Sequence, residues 1–152
     1  MSIIGQMILE GKVNDAVDTV KIRATRFYQH CLKWKHFPNM QCTSWINTIR
    51  AAAIEINDNC YSNNKPNTNI ISRSNKILID AYEDGALEAK KELKKKNNIN
   101  VDFIKIDNEE IYDDFPNIDK IIDLDYIKEW LFKYAVGSDS FRIVDNMSTE
   151  ED

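Results

Sequence analysis

VNDAVDTVKIRATRFYQHCLKW, residues 13–34, is the stretch whose reading decides the fold. Its apolar positions Val13, Val17, Val20, Ala24, Phe27, Cys31 and Trp34 are separated by alternating steps of four and three residues. Both steps bring a helix round by close to one turn, so these side chains form one narrow seam. Asp18, Lys21, Arg23, Arg26, Gln29 and Lys33 fall between them, which makes the remaining faces wet and mostly basic. A helix over this stretch is roughly 33 Å long. The rest of a small domain has to pack against it.

Upstream, Ile3, Ile4, Met7, Ile8 and Leu9 read as a short amphipathic opening helix that stops at Gly11, with Asn14 or Asp15 starting the main helix. Downstream, Pro38 disfavours helical geometry at Phe37, so the main helix should end near Lys35. Thr43 or Ser44 is a good cap for a second helix with Trp45, Ile46, Ile49, Ala52, Ala53 and Ile56 on one face, ended by Asp58 and Asn59. The Ala51-Ala52-Ala53 run offers a smooth surface for a neighbouring helix. Asn59 to Asn69 is an asparagine-rich exposed loop.

Ile70 to Lys96 reads as a third helix with Ile71, Ile77, Leu78, Ala81, Tyr82 and Leu93 inward, weakened at Gly85 by about 1 kcal/mol relative to alanine. Asn100–Ile106 alternates and pairs on paper with Ser140–Val144 as a short two-stranded β element. Asn108 to Asp114 is an acidic turn or short helix closed by Phe115-Pro116. Asp125 is then expected to cap a helix with Ile127, Trp130, Leu131 and Tyr134 inward and Gly137 as its stop. The fold class is mainly α, a small bundle of about four to five helices. Residues 1–146 form one mainly helical domain, basic over 1–96 and acidic over 97–146, and 147–152 is an acidic tail that need not be ordered.

Composition agrees. The 152 residues are 43% hydrophobic and 30% charged, enough to bury a core, and 4 glycines with 3 prolines favour long helices over a many-stranded sandwich. Met1 to Met7 lacks the features of a signal peptide, and no stretch reads as a membrane span. The expected location is intracellular, or in a virus particle assembled there, and not secreted. Three cysteines, Cys31, Cys42 and Cys60, describe no disulfide framework and suit a reducing compartment. Isoleucine, asparagine and lysine, all with A/T-rich codons, are heavily used, which points to an AT-rich genome.

The net charge of −5 hides a split. Residues 1–79 carry ten Lys/Arg against five Asp/Glu, and residues 80–152 carry ten against twenty, so +5 faces −10. The acidic excess lies entirely after Lys96. Such a chain attracts its own far end or that of a neighbouring copy.

Catalytic patterns are missing. There is no GxSxG, no glycine-rich phosphate loop and no HExxH. His30, Cys31, His36, Cys42 and Cys60 are residue types that bind zinc, but their spacing fits no finger or ribbon. Glu109, Glu110, Asp113 and Asp114 would pair on a helix, yet no second carboxylate set completes a metal centre. We therefore expect no enzyme, no cofactor and no metal. Two surfaces remain as partner-binding candidates: a basic face of Lys21, Arg23, Arg26, Lys33 and Lys35, and an acidic face of Glu109, Glu110, Asp113 and Asp114.

The favoured function is a non-enzymatic assembly or interaction protein, acting through complementary basic and acidic surfaces on protein partners or further copies of itself. A connector, ring or capsid-associated subunit of a virus or phage particle is one concrete version. The alternatives are a nucleic-acid-binding accessory protein using Arg23, Arg26, Lys33 and Lys35, and an acidic inhibitor whose Asp107 to Asp125 region imitates nucleic acid. A membrane partner is not expected.

Overall fold

The computed structural model describes residues 2–97, 100–102 and 110–151. Its first helix, α1 (Ile3–His36), runs unbroken through Gly11 and is about 51 Å long. The expected stop at Gly11 is therefore corrected. A lone glycine lowers helix stability but supplies neither a missing N–H nor a steric block, so neighbouring turns carry the helix across it. Ser2 caps α1, its Oγ accepting from Gly5 N at 3.0 Å. The helix leaves its path at Phe37, the residue before Pro38, as the proline demands.

The seam reads as expected: Val17, Val20, Ala24, Phe27, Cys31 and Trp34 are buried, and Val13 packs partly against them. A single 3-10 turn, Pro38–Met40, leads to α2 (Thr43–Cys60), capped by Cys42 and not by Thr43 or Ser44. Trp45, Ile46, Ile49, Ala52, Ala53 and Ile56 face the core as predicted. The asparagine-rich segment then folds into a hairpin, β1 (Tyr61–Ser62) antiparallel to β2 (Lys65–Pro66). Its two turn residues, Asn63 and Asn64, have φ of 53° and 63°, left-handed backbone that asparagine tolerates better than most residues.

The longest partner of α1 is α3 (Thr68–Asn97). Ala81, Gly85, Ala86 and Ala89 are buried along it and let the two helices approach closely. Of the expected inward positions, Leu78, Ala81, Tyr82 and Leu93 are buried, while Ile71 and Ile77 are partly so.

Four short helices close the bundle: α4 (Glu110–Asp114), α5 (Ile118–Ile121), α6 (Leu124–Tyr134) and α7 (Gly137–Asp145). Asp123, not Asp125, caps α6, its Oδ1 accepting from Tyr126 N at 3.1 Å. Gly137 is not the stop of α6 but the first residue of α7, with φ +72°. Ser140–Val144, expected as a strand, lies inside α7, because Ser140, Val144 and Met147 are buried at helical spacing. Residues 100–102 form no strand, and the remainder of the expected strand, 103–106, lies outside the described residues. Among the described residues a two-stranded sheet is found at 61–66.

An aromatic cluster binds the short helices to α1. Phe27 meets Phe115 edge to face with ring centroids 5.0 Å apart, and Phe115 meets Trp130 at 5.4 Å. Tyr28 donates its hydroxyl to Phe115 O at 2.6 Å, and Trp34 Nε1 donates to Leu131 O at 3.0 Å. The segment after Met147 is held too. Arg50 donates to the carbonyls of Ser148 and Glu150, and Lys128 Nζ to those of Asp145 and Met147. Among the described residues no helix is long and apolar enough to cross a membrane.

Candidate functional site

Flanking the seam, α1 carries a polar cluster, partly buried between its neighbours. Arg23, Arg26, Gln29, His30 and Lys33 succeed one another there within three turns. The start of α2 covers one flank and the end of α3 the other. Lys33 is 2% exposed, although lysine is almost never buried without a partner. Its Nζ donates to Glu92 Oε1 at 2.9 Å and sits 4.8 Å from the centre of the Trp45 ring. Gln29 Nε2 donates to the other Glu92 oxygen at 2.9 Å. One carboxylate on α3 thus gathers two α1 side chains, while an indole on α2 closes the ammonium off from water.

His30 lies one turn before Lys33. Its Nδ1 is 2.9 Å from Arg26 O, and since a carbonyl only accepts, Nδ1 carries the hydrogen. Burial and then the Lys33 charge lower its pKa to about 4. At neutral pH the ring is uncharged.

Beside this cluster, α1 and α2 enclose a groove of about 410 Å³ lined by Arg23, Arg26, Ser44, Asn47, Thr48, Ala51, Ala52 and Glu55. Arg23 pairs with Glu55 across it. Arg26 is exposed, with no acidic partner among the described residues.

The basic face expected from the sequence is thus divided by the fold. Lys21 pairs with Asp84 at 3.7 Å, Arg23 with Glu55 and Lys33 with Glu92, three acids that all belong to the first 96 residues. Lys35 lies over the Tyr134 ring at 4.8 Å. Of the acidic face, Glu109 lies outside the described residues, and Glu110 starts α4. Asp113 is exposed. Asp114 is structural: its Oδ2 accepts from Trp130 Nε1 at 2.8 Å and its carbonyl from Tyr126 Oη at 2.6 Å.

Among the described residues no group of His, Cys, Asp and Glu is arranged to hold a metal ion. Cys31, Cys42 and Cys60 are free, and burial pushes the Cys31 and Cys60 thiols up, that of Cys60 to about 11. Sequence reasoning missed Gln29, His30, Trp45 and Glu92 as members of one cluster. The available signal was a lysine at the third step of an otherwise apolar helix end, Cys31-Leu32-Lys33-Trp34.

A second feature stands apart from the cluster. The first three turns of α1 run clear of the bundle: residues 6–12 are all exposed, and Ile3, Ile4, Met7 and Ile8 are 76%, 71%, 67% and 55% exposed. Soluble chains rarely leave so many large apolar side chains together in water.

Residues 9–116, more than two thirds of the chain, match the family described as "Domain of unknown function DUF29". The match runs from within α1 through α4 and so contains the whole polar cluster, while α5, α6 and α7 follow it. No curated protein and no solved structure matches the chain.

Proposed function

The chain belongs to the DUF29 family, and on that premise we propose that it is a non-enzymatic interaction subunit that pairs with a second copy of itself through the start of α1. The single observation behind this reading is the exposed apolar stripe on the free end of that helix. Ile4, Met7, Ile8 and Gly11 follow the i, i+3, i+4, i+7 rule of a helix face made for another helix. The stripe is also self-complementary. An antiparallel copy related by a two-fold axis between Met7 and Ile8 sets Met7 against Ile8 and Ile4 against Gly11. A side chain grown from Gly11 would meet nothing within 4 Å, so the space above it is open to the partner's Ile4.

A two-fold contact of this kind is closed and uses one patch twice. A connector, ring or capsid-associated subunit of a particle would need a further face, so the dimer is the unit from which such an assembly would start. The contact is apolar, and its strength should vary little with salt. Sedimentation velocity over a range of protein concentrations tests the proposal. The expected result is a monomer–dimer equilibrium that the double variant Ile4→Asp, Ile8→Asp converts to monomer with an unchanged helix signal. A monomer at every concentration up to hundreds of micromolar would sink it.

A further inference from the structure

The groove between α1 and α2 is not used by pairing through the start of α1. Two guanidiniums reach it from α1 and one carboxylate, Glu55, from α2, so it carries a net positive charge. Arg23 Nε is enclosed from solvent and paired with Glu55. The Arg26 guanidinium has no hydrogen bond or ion pair among the described residues. On the opposite wall the Thr48 hydroxyl donates to Ser44 O at 3.0 Å, which leaves it an acceptor. The Ser44 hydroxyl and the Asn47 amide have no such engagement among the described residues and remain donors. The first turn of α2 contains no acidic residue and no side chain caps it, so the positive end of its dipole is uncompensated at this wall.

We propose that this groove binds the dianionic phosphate of a small phosphate monoester. Donors line it from both helices: planar guanidiniums from α1, a hydroxyl and an amide from α2. A monoester phosphate offers three terminal oxygens to satisfy them, whereas a carboxylate offers two in one plane. Glu55 keeps Arg23 oriented and leaves Arg26 as the principal ion partner. The site is independent of the start of α1, and the chain binds whether monomeric or paired.

Titrations followed through the arginine Nε–H and the backbone amide signals in two-dimensional ¹H–¹⁵N spectra test this. The probes are inorganic phosphate and O-phosphoserine, with acetate, sodium chloride and a thymidine oligonucleotide as the carboxylate, ionic-strength and phosphodiester arms. Saturable shifts at Arg23, Arg26 and Ser44 with both phosphate probes are expected, stronger at pH 7.5 than at pH 5.5 because the second phosphate ionisation of each probe lies between these values, that of the monoester near pH 6. Arg26→Gln, an exposed position that the fold tolerates, should weaken them about tenfold. Shifts that chloride or acetate reproduces, shifts given by the oligonucleotide but not the monoester, or an unaltered Arg26→Gln response would each overturn the site. Repeating the series on the Ile4→Asp, Ile8→Asp chain separates this outcome from that of dimerisation.

Discussion

A β-carbon added at Gly85 would lie 2.6 Å from Thr25 O, 3.0 Å from Gln29 N and 3.2 Å from Tyr28 Cβ. The first two of these neighbours are backbone, which cannot swing aside. At this point α1 and α3 touch main chain to main chain, and the separation of the two longest helices is set by the absence of one methyl group.

Gly85→Ala should therefore destabilise the protein even though alanine is the better helix former. The intrinsic gain is about 1 kcal/mol. Overpacking a rigid contact costs up to about 3 kcal/mol, so a net loss of about 2 kcal/mol is expected in urea unfolding. Gly11→Ala, made in the unpaired Ile4→Asp, Ile8→Asp chain, is the internal control, since it meets open space there and should be neutral to stabilising by up to about 1 kcal/mol. Equal responses at the two glycines would contradict the close approach.

The Lys33–Glu92 pair predicts an asymmetry. The Lys33 side chain is 3% exposed and the Glu92 side chain 26%. Glu92→Gln strands a buried ammonium and should cost about 3 kcal/mol or more. Lys33→Met removes the charge from the drier side and leaves Glu92 its bond from Gln29 and access to water, so about 1 kcal/mol is expected. Chemical denaturation of both variants at one pH checks the order.

His30 should make stability depend on pH in a defined window. Its pKa is about 4 in the folded chain against 6.5 for the free side chain. Between these values the unfolded chain binds the extra proton, so stability is complete above pH 6.5, falls as pH drops, and levels off below about pH 4. The full difference is about 3 kcal/mol, from 1.36 kcal/mol per unit. His30→Gln should flatten that slope. The comparison is the difference between the two chains' denaturation midpoints from pH 7 to pH 4, because carboxylates titrate in both.

The hairpin turn supplies a local test. Asn64 has φ 63°, and placing a β-branched residue there costs roughly 1–2 kcal/mol. Asn64→Val should lower the melting temperature, while Asn64→Gly should hold or raise it. The opposite order would rule out the left-handed turn.

The main seam was legible in the sequence because burial along a helix is periodic and seven positions repeat the signal. Ser140–Val144 was not, since five residues satisfy a two-residue and a 3.6-residue period equally well; only Met147, three residues on, decides for the helix. Gly85 carries the same ambiguity in another form. As one letter in α3 it reads as a weak point, and its real role depends on backbone atoms 60 residues away. The polar cluster was hidden for the same reason: Lys33 and Glu92 are 59 residues apart, and nothing local to either announces the other. The cap of α6 reads two residues late in the sequence, at Asp125, because an aspartate there suits a helix start on local grounds; Asp123 is the earlier position. Burial of Leu124 places the helix start at the earlier one.

The first helix is one continuous hydrogen-bonded rod, yet its two ends should exchange their amide hydrogens on very different clocks. Around Val20 to Trp34 opening requires α2 and α3 to come away, so protection there follows global unfolding. In the unpaired chain residues 3–12 should fray on their own, and trypsin should cut after Lys12 long before it reaches Lys21. The free end thus works as a reporter. Anything that settles on Ile4 and Ile8 will slow exchange at the start of the rod and leave the rate at Trp34 untouched.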